Sequence, residues 1–364
     1  MATANLEVVL DADGHIHEDG EGISQFLPPL YKNAGPYAPV GLFPPLDHLH
    51  SAHLVQTPSV GRGKVGPDEW IMFLDDVGID TTVLYPTMGL AYGKIVSQDW
   101  AIAVCRAYND WLHQTYLVKS PRFRGMGLIP MQEPEAAVEE LRRVVEELGM
   151  HGAMLPSMGL PNHLGAKEYW PVYREAERLG CCLAIHGGCH SGMGFDHLNV
   201  YAPVHGMGHP MGIMIGLAGI VFNGIFDRFP NIKIAFLEGG VAWFLMAMER
   251  FDGSHASHSE YQIREDLLGP KLDEKVSDYM IRHIKAGRLY IGVEGGEPAL
   301  SYAISQVGSE PFLYSSDFPH EVTNESCKEE IQEVLENDGL TTADKEAILN
   351  RNAQRFYDLT PTGH

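Results

Sequence analysis

The chain has 364 residues, of which 45% are hydrophobic and 20% are charged. This length allows one large α/β domain or two of average size, and the apolar content excludes disorder over most of the chain. The formal net charge of −22 argues against nucleic acids and anionic membrane surfaces as partners, because both bind clusters of Lys and Arg.

Residues 1–5 are neither basic nor strongly apolar, so no secretory leader is visible. The longest apolar run, from Gly212 through Ile220 to Phe226, is too short to span a bilayer and is interrupted by Asn223. The five cysteines show no paired spacing and no C-x-x-C motif. We therefore expect a protein of the reducing cytoplasm without a membrane segment.

Short β-branched or apolar runs alternate with amphipathic helical segments along the whole chain. The predicted strands are residues 6–13, 81–86, 125–130, 152–155, 182–186, 233–238, 288–293 and 312–316. The predicted helices are residues 68–77, 99–118, 134–148, 168–179, 210–226, 241–251, 274–285 and 325–336. About eight βα units predict a single (β/α)8 TIM barrel over residues 1–364, with an open doubly wound sheet as the alternative.

Polar residues fall at the C-terminal ends of the predicted strands, where a barrel places its working groups. Strand one ends in Asp13 and His15, and the ends of later strands carry His186, Glu238, Glu294, Asp317 and His320. A single buried His or a single helix-capping Asp can have a purely structural role. Polar residues at the C-terminal ends of five strands of one barrel instead favour a metal or acid/base site.

The first strand carries the most informative pattern, because Asp11, Asp13, His15 and His17 occupy alternate positions. Alternate side chains share one face of a strand, so these four are expected to converge. Oxygen and nitrogen ligands arranged in this way suit a divalent metal.

These residues also carry a family resemblance. The D-x-D-G-H-x-x-E opening at residues 11–18, His186, the run 224–243 and the closing S-D-F-P-H at residues 316–320 resemble the amidohydrolase-related metal-dependent hydrolases. The branch concerned includes the relatives of aminocarboxymuconate semialdehyde decarboxylase. The resemblance implies a divalent metal, with zinc favoured over iron or manganese and with one or two ions. The ligands it implies are Asp13, His15, His186 and Asp317.

Two positions depart from the decarboxylase pattern. The literal spacing allows His17 in place of Asp13 as a strand-one ligand, whereas His15 is a ligand in either register. The strand-six position, which holds a catalytic His in the decarboxylases, is Glu238 here. A carboxylate is better suited to act as a base toward water, or as a ligand of a second cation, than to carry a proton to a substrate carbon.

The sequence therefore predicts a metal-dependent hydrolase that acts on an amide, ester, thioester or activated C–C bond. A metal-bound water would be the nucleophile, Asp317 would take its proton, and Glu238 would assist or bridge a second ion. The alternatives are a nonoxidative decarboxylase or hydratase of the same fold and, third, a barrel that only binds a ligand.

Several histidines follow strand five, among them His190, His205 and His209. Gly206, Gly208 and Pro210 argue against a helix there, so we favour a substrate-contacting loop over a further metal site, with His209 facing the pocket as a catalytic group. We expect Glu294, His320 and His205 to contact the substrate.

Residues 19–66 form a long insertion after strand one, rich in Pro, Gly and His and without an apparent contribution to the core. Such a segment lies over a barrel mouth, so we predict a lid. Its apolar members suggest a small apolar or ring-bearing substrate, and Arg62 and Lys64 are placed to reach an anionic group; these apolar members are Phe26, Leu30, Tyr31, Tyr37 and Phe43. The resemblance to this family, whose members commonly form oligomers, and the apolar helix faces predict a homodimer or a larger homo-oligomer.

Overall fold

The computed structural model describes residues 8–34, 39, 41–55, 65–261 and 268–359. Within them, eight parallel strands form one sheet in chain order. The strands are β1 Leu10–Ile16, β2 Thr81–Pro86, β3 Phe123–Leu128, β4 Gly152–Pro156, β5 Cys182–His186, β6 Lys233–Leu237, β7 Leu289–Val293 and β8 Phe312–Tyr314. The predicted (β/α)8 TIM barrel is confirmed.

Helices cover the outside of the sheet and the ends of the barrel. Within the described residues they are α1 Gly20–Ser24, α2 Pro29–Lys32, α3 His48–Ser51, α4 Pro67–Val77, α5 Gln98–Leu112, α6 Pro134–Glu146, α7 Trp170–Leu179, α8 Tyr201–Phe222, α9 Ile225–Arg228, α10 Ala242–His258, α11 Val276–Lys285, α12 Leu300–Val307, α13 Asn324–Glu336, α14 Thr342–Glu346 and α15 Asn352–Tyr357. Their buried faces are mainly Ala, Leu, Ile, Val and aromatic residues, which pack with the strands into one core.

Hydrogen bonds just beyond β8 close the barrel against β1. The Asp317 N–H donates to the Asp13 carbonyl at 3.0 Å, and the His15 N–H donates to the Phe318 carbonyl at 2.7 Å. The closure therefore fixes the end of β8 directly beside the polar residues of β1.

A β-bulge changes the direction of the side chains in β1. The register with β2 shifts between Asp11 and Gly14, so the strict alternation predicted from the sequence is broken there. Asp13 and His15 converge beyond the bulge, whereas Asp11 accepts hydrogen bonds from Thr82 Oγ1 at 2.6 Å and from Ser316 Oγ at 2.9 Å. The expected convergence of all four polar side chains is therefore wrong for Asp11.

Helix α8 differs most from the prediction, because it begins at Tyr201 and includes the segment expected to be a loop. Pro210 removes one helical hydrogen bond, to the carbonyl of Gly206, and Gly206 lies on the exposed side where water can solvate that carbonyl. By length and composition α8 could cross a membrane, but 56% of its apolar window is buried inside the protein. A core helix passes the same test, so this is weak evidence for a membrane span.

The insertion does contribute to the core, contrary to the expectation from its composition. It contains α1, α2 and α3, and Ile23, Leu46 and Leu49 are buried in the main hydrophobic cluster or beside it. Residues 6 and 7 of the predicted first strand, together with Tyr37, Arg62 and Lys64, lie outside the described residues. The role of the segment as a lid stays a prediction.

We predict that Asp11→Ala destabilises the fold by about 3 kcal/mol, because it leaves buried donors of Thr82, Ser316 and Asp13 without an acceptor. Urea unfolding of the metal-free chain measures the loss. Asp11→Asn keeps an acceptor and should cost about 1 kcal/mol or less. An Asp11→Ala variant as stable as the wild type would contradict this role.

Candidate metal centre

Two strands place an imidazole and a carboxylate in contact at the C-terminal end of the barrel. His186, the last residue of β5, has its Nε2 3.0 Å from Asp13 Oδ1, and His15 Nε2 lies 3.5 Å from the same oxygen. All three side chains are almost completely buried. Their ligand atoms lie within 4.8 Å of one another, close enough to share a metal ion.

The tautomer of His15 is set by its backbone partner. His15 Nδ1 lies 2.7 Å from the Pro86 carbonyl and donates to it, which leaves Nε2 as the acceptor. Nε2 is buried and has no hydrogen-bond partner among the described residues. A buried nitrogen lone pair directed at two carboxylates is the arrangement expected of a metal ligand.

A second set of ligand atoms adjoins the first. Asp317 Oδ1 lies 3.4 Å from His15 Nε2, and His320 Nδ1 donates to the same Asp317 oxygen at 2.8 Å. Glu238 completes the set, whose ligand atoms also lie within 4.8 Å of one another. Thr87 Oγ1 lies 3.0 Å from His320 Nε2 and fixes the outer side of that ring.

Glu238 and Asp317 occupy left-handed backbone conformations, with φ of 64° and 53°. Residues other than glycine rarely adopt such angles, which cost on the order of 1–3 kcal/mol each. Glu238 directly follows β6, and Asp317 lies three residues beyond the end of β8. The sharp turn at each position directs the carboxylate inward across the barrel mouth.

Glu238 is also surrounded by imidazoles. Its Oε2 lies 3.0 Å from His186 Nδ1 and 2.8 Å from His209 Nδ1. Burial opposes the charge of Glu238, but His209 and His186 outweigh it and hold the pKa well below the usual range. Burial likewise opposes protonation of His186, yet Asp13 and Glu238 raise its pKa well above the usual range.

Asp13 and Asp317 show the opposite effect. Burial raises the pKa of both carboxyls, and the nearby charge of Glu238 adds to it, bringing Asp317 to about 7. These acids are crowded together without sufficient positive charge, which a divalent cation would supply. Two imidazoles with carboxylate oxygens form a donor set for zinc, manganese or iron.

The other residues expected in the site lie around this centre. Glu294 lines a small cavity together with Asp13, Glu238 and Asp317. The rings of His205 and His209 lie 4.6 Å apart on α8. His17 is partly buried and belongs to neither set of clustered ligand atoms.

Two polar residues near the centre were not anticipated from the sequence. Thr87 follows β2 and orients His320, and Asp47 of the insertion lies 3.6 Å from His190 Nδ1. A strand-end position pointed to Thr87. Nothing in the local sequence of Asp47 distinguishes it from an ordinary helix N-cap, which it also is.

Two solved structures share this architecture. The 5-carboxyvanillate decarboxylase of Novosphingobium aromaticivorans, solved with bound manganese, superposes with a TM-score of 0.74, is 20% identical and covers 97% of each chain. The dihydroxybenzoic acid decarboxylase of Polaromonas sp., also with manganese, gives a TM-score of 0.67 at 21% identity over 97% of each chain.

Curated relatives cover most of the chain. The 2-amino-3-carboxymuconate-6-semialdehyde decarboxylase of Dictyostelium discoideum is 26% identical over 296 residues, which are 81% of this chain and 77% of the relative. The gamma-resorcylate decarboxylase of Polaromonas sp. is 26% identical over 80% of this chain and 87% of its own length.

These relatives correct the functional expectation. They are decarboxylases, which are carboxy-lyases, so the prediction of a hydrolase from Glu238 is wrong and the alternative of a nonoxidative decarboxylase is favoured. The hydrolase prediction treats Glu238 as an isolated carboxylate, whereas the structure surrounds it with His186 and His209.

The resemblance stated from the sequence is confirmed, because the family model described as amidohydrolase matches residues 12–359. The match includes most of β1, all of β8 and every residue of the metal centre. The chain therefore belongs to the amidohydrolase family, in the branch that resembles aminocarboxymuconate semialdehyde decarboxylase.

Proposed function

We propose that the protein is a metal-dependent, nonoxidative decarboxylase of a small carboxylic acid with an aromatic or conjugated body. The observation that carries the proposal is the Asp317–His320 pair, a buried proton-holding group at the edge of the cavity beside the clustered ligands. The decarboxylases among the relatives support the reaction class.

Asp13, His15, His186 and Asp317 would hold the ion, with Glu238 as a further ligand. When bound, the cation supplies the positive charge that attracts the substrate's oxygens and stabilises negative charge on its conjugated body. We propose manganese, because solved relatives carry it, and the zinc expected from the sequence finds no support in them.

Decarboxylation replaces the carboxylate carbon by a proton. The electron pair of the broken C–C bond stays on the substrate carbon, which takes up the proton as carbon dioxide leaves. A residue that keeps a proton in a water-poor site near neutral pH is therefore needed.

Asp317 and His320 together meet this requirement. Burial raises the pKa of Asp317 to about 7. Burial lowers the pKa of His320, but Asp317 more than offsets this and raises it to about 9. His320 thus retains a proton at neutral pH beside Asp317, which would be deprotonated as a ligand of the ion. We propose that this proton passes through Asp317 to the substrate carbon.

Glu238 does not compete for this role, because His209 and His186 stabilise its charged form. We propose that it orients His186 and excludes a second anion from that side of the cavity. His209 acts from α8 by contacting Glu238 at 2.8 Å.

The cavity wall selects the substrate. Glu294 is exposed at the edge of the cavity, where desolvation by the surrounding protein, Glu238 and Asp13 raise its pKa. Its carboxyl is placed for a hydrogen bond with a substrate hydroxyl. Val293 supplies apolar surface beside it. We propose that His205 lies farther out, behind His209, and contacts only a larger substrate.

A homo-oligomer stays a prediction, supported by Met211 and Ile215, which are exposed on α8.

We predict carbon dioxide release from at least one acid among 2,6-dihydroxybenzoate, 5-carboxyvanillate and 2-amino-3-carboxymuconate semialdehyde. In D2O the product should carry one deuteron at the vacated carbon, detected by mass spectrometry. Esters and amides of the same acids serve as the control. Their cleavage without carbon dioxide release would contradict the proposal.

We predict that the purified protein holds about one divalent ion per chain and that chelation abolishes turnover until manganese is restored. His15→Ala and His186→Ala should lose the ion, as measured by elemental analysis. His163→Ala, at an exposed histidine, is the matched control and should retain it. Equal metal content in all three variants would refute this ligand assignment.

Asp317→Asn should lower kcat by at least about 10³, because the amide supplies no transferable proton. Circular dichroism should show an unchanged fold, and elemental analysis separates loss of the proton donor from loss of metal. Glu329→Gln, at an exposed acid on α13, should behave as wild type. Wild-type turnover in Asp317→Asn would eliminate the assigned role.

A further inference from the structure

We propose that Asp47, in the insertion, positions the metal centre. It acts through two buried histidines in contact with each other, His190 and His209, and the second of these contacts Glu238. The inference rests on the proposed metal-dependent function. It gives the insertion a defined part in the site, separate from any role as a lid.

Asp47 is a completely buried carboxylate with several donors around it. Its Oδ1 caps α3 by accepting from Leu49 N at 2.8 Å and from His50 N at 3.0 Å. Its Oδ2 lies 2.9 Å from His50 Nδ1 and 3.6 Å from His190 Nδ1. One oxygen thus serves the helix cap while the other faces the histidines.

His190 links the insertion to the loop after β5. Its backbone N–H donates to the Leu46 carbonyl at 3.0 Å, and Lys94 Nζ bridges the same two segments by donating to the Pro45 carbonyl and to Ser191 Oγ. The His190 ring is 1% exposed, and neither ring nitrogen forms a hydrogen bond with the described residues. The Asp47 carboxylate faces the ring, with its Oδ2 3.6 Å from Nδ1.

His190 packs edge-on against His209, with ring centroids 4.5 Å apart at 72°. Two glycines make this packing possible. A Cβ at Gly208 would lie 2.2 Å from His190 Cδ2, and a Cβ at Gly187 would lie 2.5 Å from His209 Nδ1. Side chains at either position would displace the rings, so the backbone is adapted to bring both imidazoles together.

His209 completes the connection to the metal centre. Its Nδ1 lies 2.8 Å from Glu238 Oε2, which in turn lies 3.0 Å from His186 Nδ1. Because Asp47 is buried and negative, it attracts the N–H side of His190 and so sets the orientation of that ring. The His190 ring then fixes the ring of His209, and His209 fixes the Glu238 carboxylate.

A double-mutant cycle on the full chain tests this positioning role. The readout is the dissociation constant for Mn²⁺ alone, measured by electron paramagnetic resonance of the free ion after metal removal. Asp47→Ser keeps a helix-capping oxygen but removes the charge that faces His190. His209→Ala removes the last histidine of the connection.

We expect Asp47→Ser and His209→Ala each to weaken Mn²⁺ binding by about tenfold. This is the lower end of the loss in metal affinity that is usual when a residue supporting a metal ligand is removed. The double variant should bind no more weakly than His209→Ala alone, because both substitutions interrupt one connection. Thr341→Ala removes the N-cap of α14, which belongs to neither the insertion nor the connected histidines. It should leave Mn²⁺ binding unchanged in the wild type and in His209→Ala.

Unchanged binding in Asp47→Ser, or independent effects that multiply in the double variant, would overturn the proposal. If His209→Ala does not fold, His190→Phe takes its place in the cycle, since it keeps the ring shape and removes the nitrogens. A wild-type chain that binds Mn²⁺ but releases no carbon dioxide would contradict the proposed function alone, because the cycle is read from metal binding.

Discussion

Four carboxylates line one small space at the mouth of the barrel, and the rest of the site depends on how their charge is balanced. Burial raises the pKa of Asp13 and Asp317, with a contribution from Glu238, while His209 and His186 hold Glu238 ionised. His186 and His320, whose pKa values are raised, offset part of the negative charge, and a divalent cation would offset more of it. The same crowding raises the pKa of Asp317 and favours the proposed cation, so both effects have one electrostatic origin.

The closure between the first and last strands determines where these charges meet. The backbone bonds from Asp317 to Asp13 and from His15 to Phe318 bring together residues about 300 positions apart in the chain. Below them, Asp11 ties Ser316 to β1. The seam is therefore polar inside and hydrogen-bonded along its length, which holds ligands from distant segments at fixed separations.

The sequence predicted the barrel and the identity of the clustered residues, because strand periodicity and strand-end polarity are local properties. It did not predict the bulge in β1, which depends on pairing with β2, or the early start of α8, which tertiary packing stabilises despite Pro210. The hydrolase prediction from Glu238 is wrong for a related reason. The chemistry of Glu238 depends on His209, which lies in the part of α8 that the sequence predicts to be a loop. The effect of Asp47 is likewise visible only after folding.

The left-handed backbone at Glu238 and Asp317 also limits how this enzyme can diversify. At such angles glycine, asparagine and aspartate are tolerated best, whereas β-branched residues force the backbone to move. Mutational libraries at these two positions would therefore return few functional sequences, whatever substrate is used for selection. New specificities are more accessible through positions such as Glu294 and Val293, which line the same cavity from ordinary conformations.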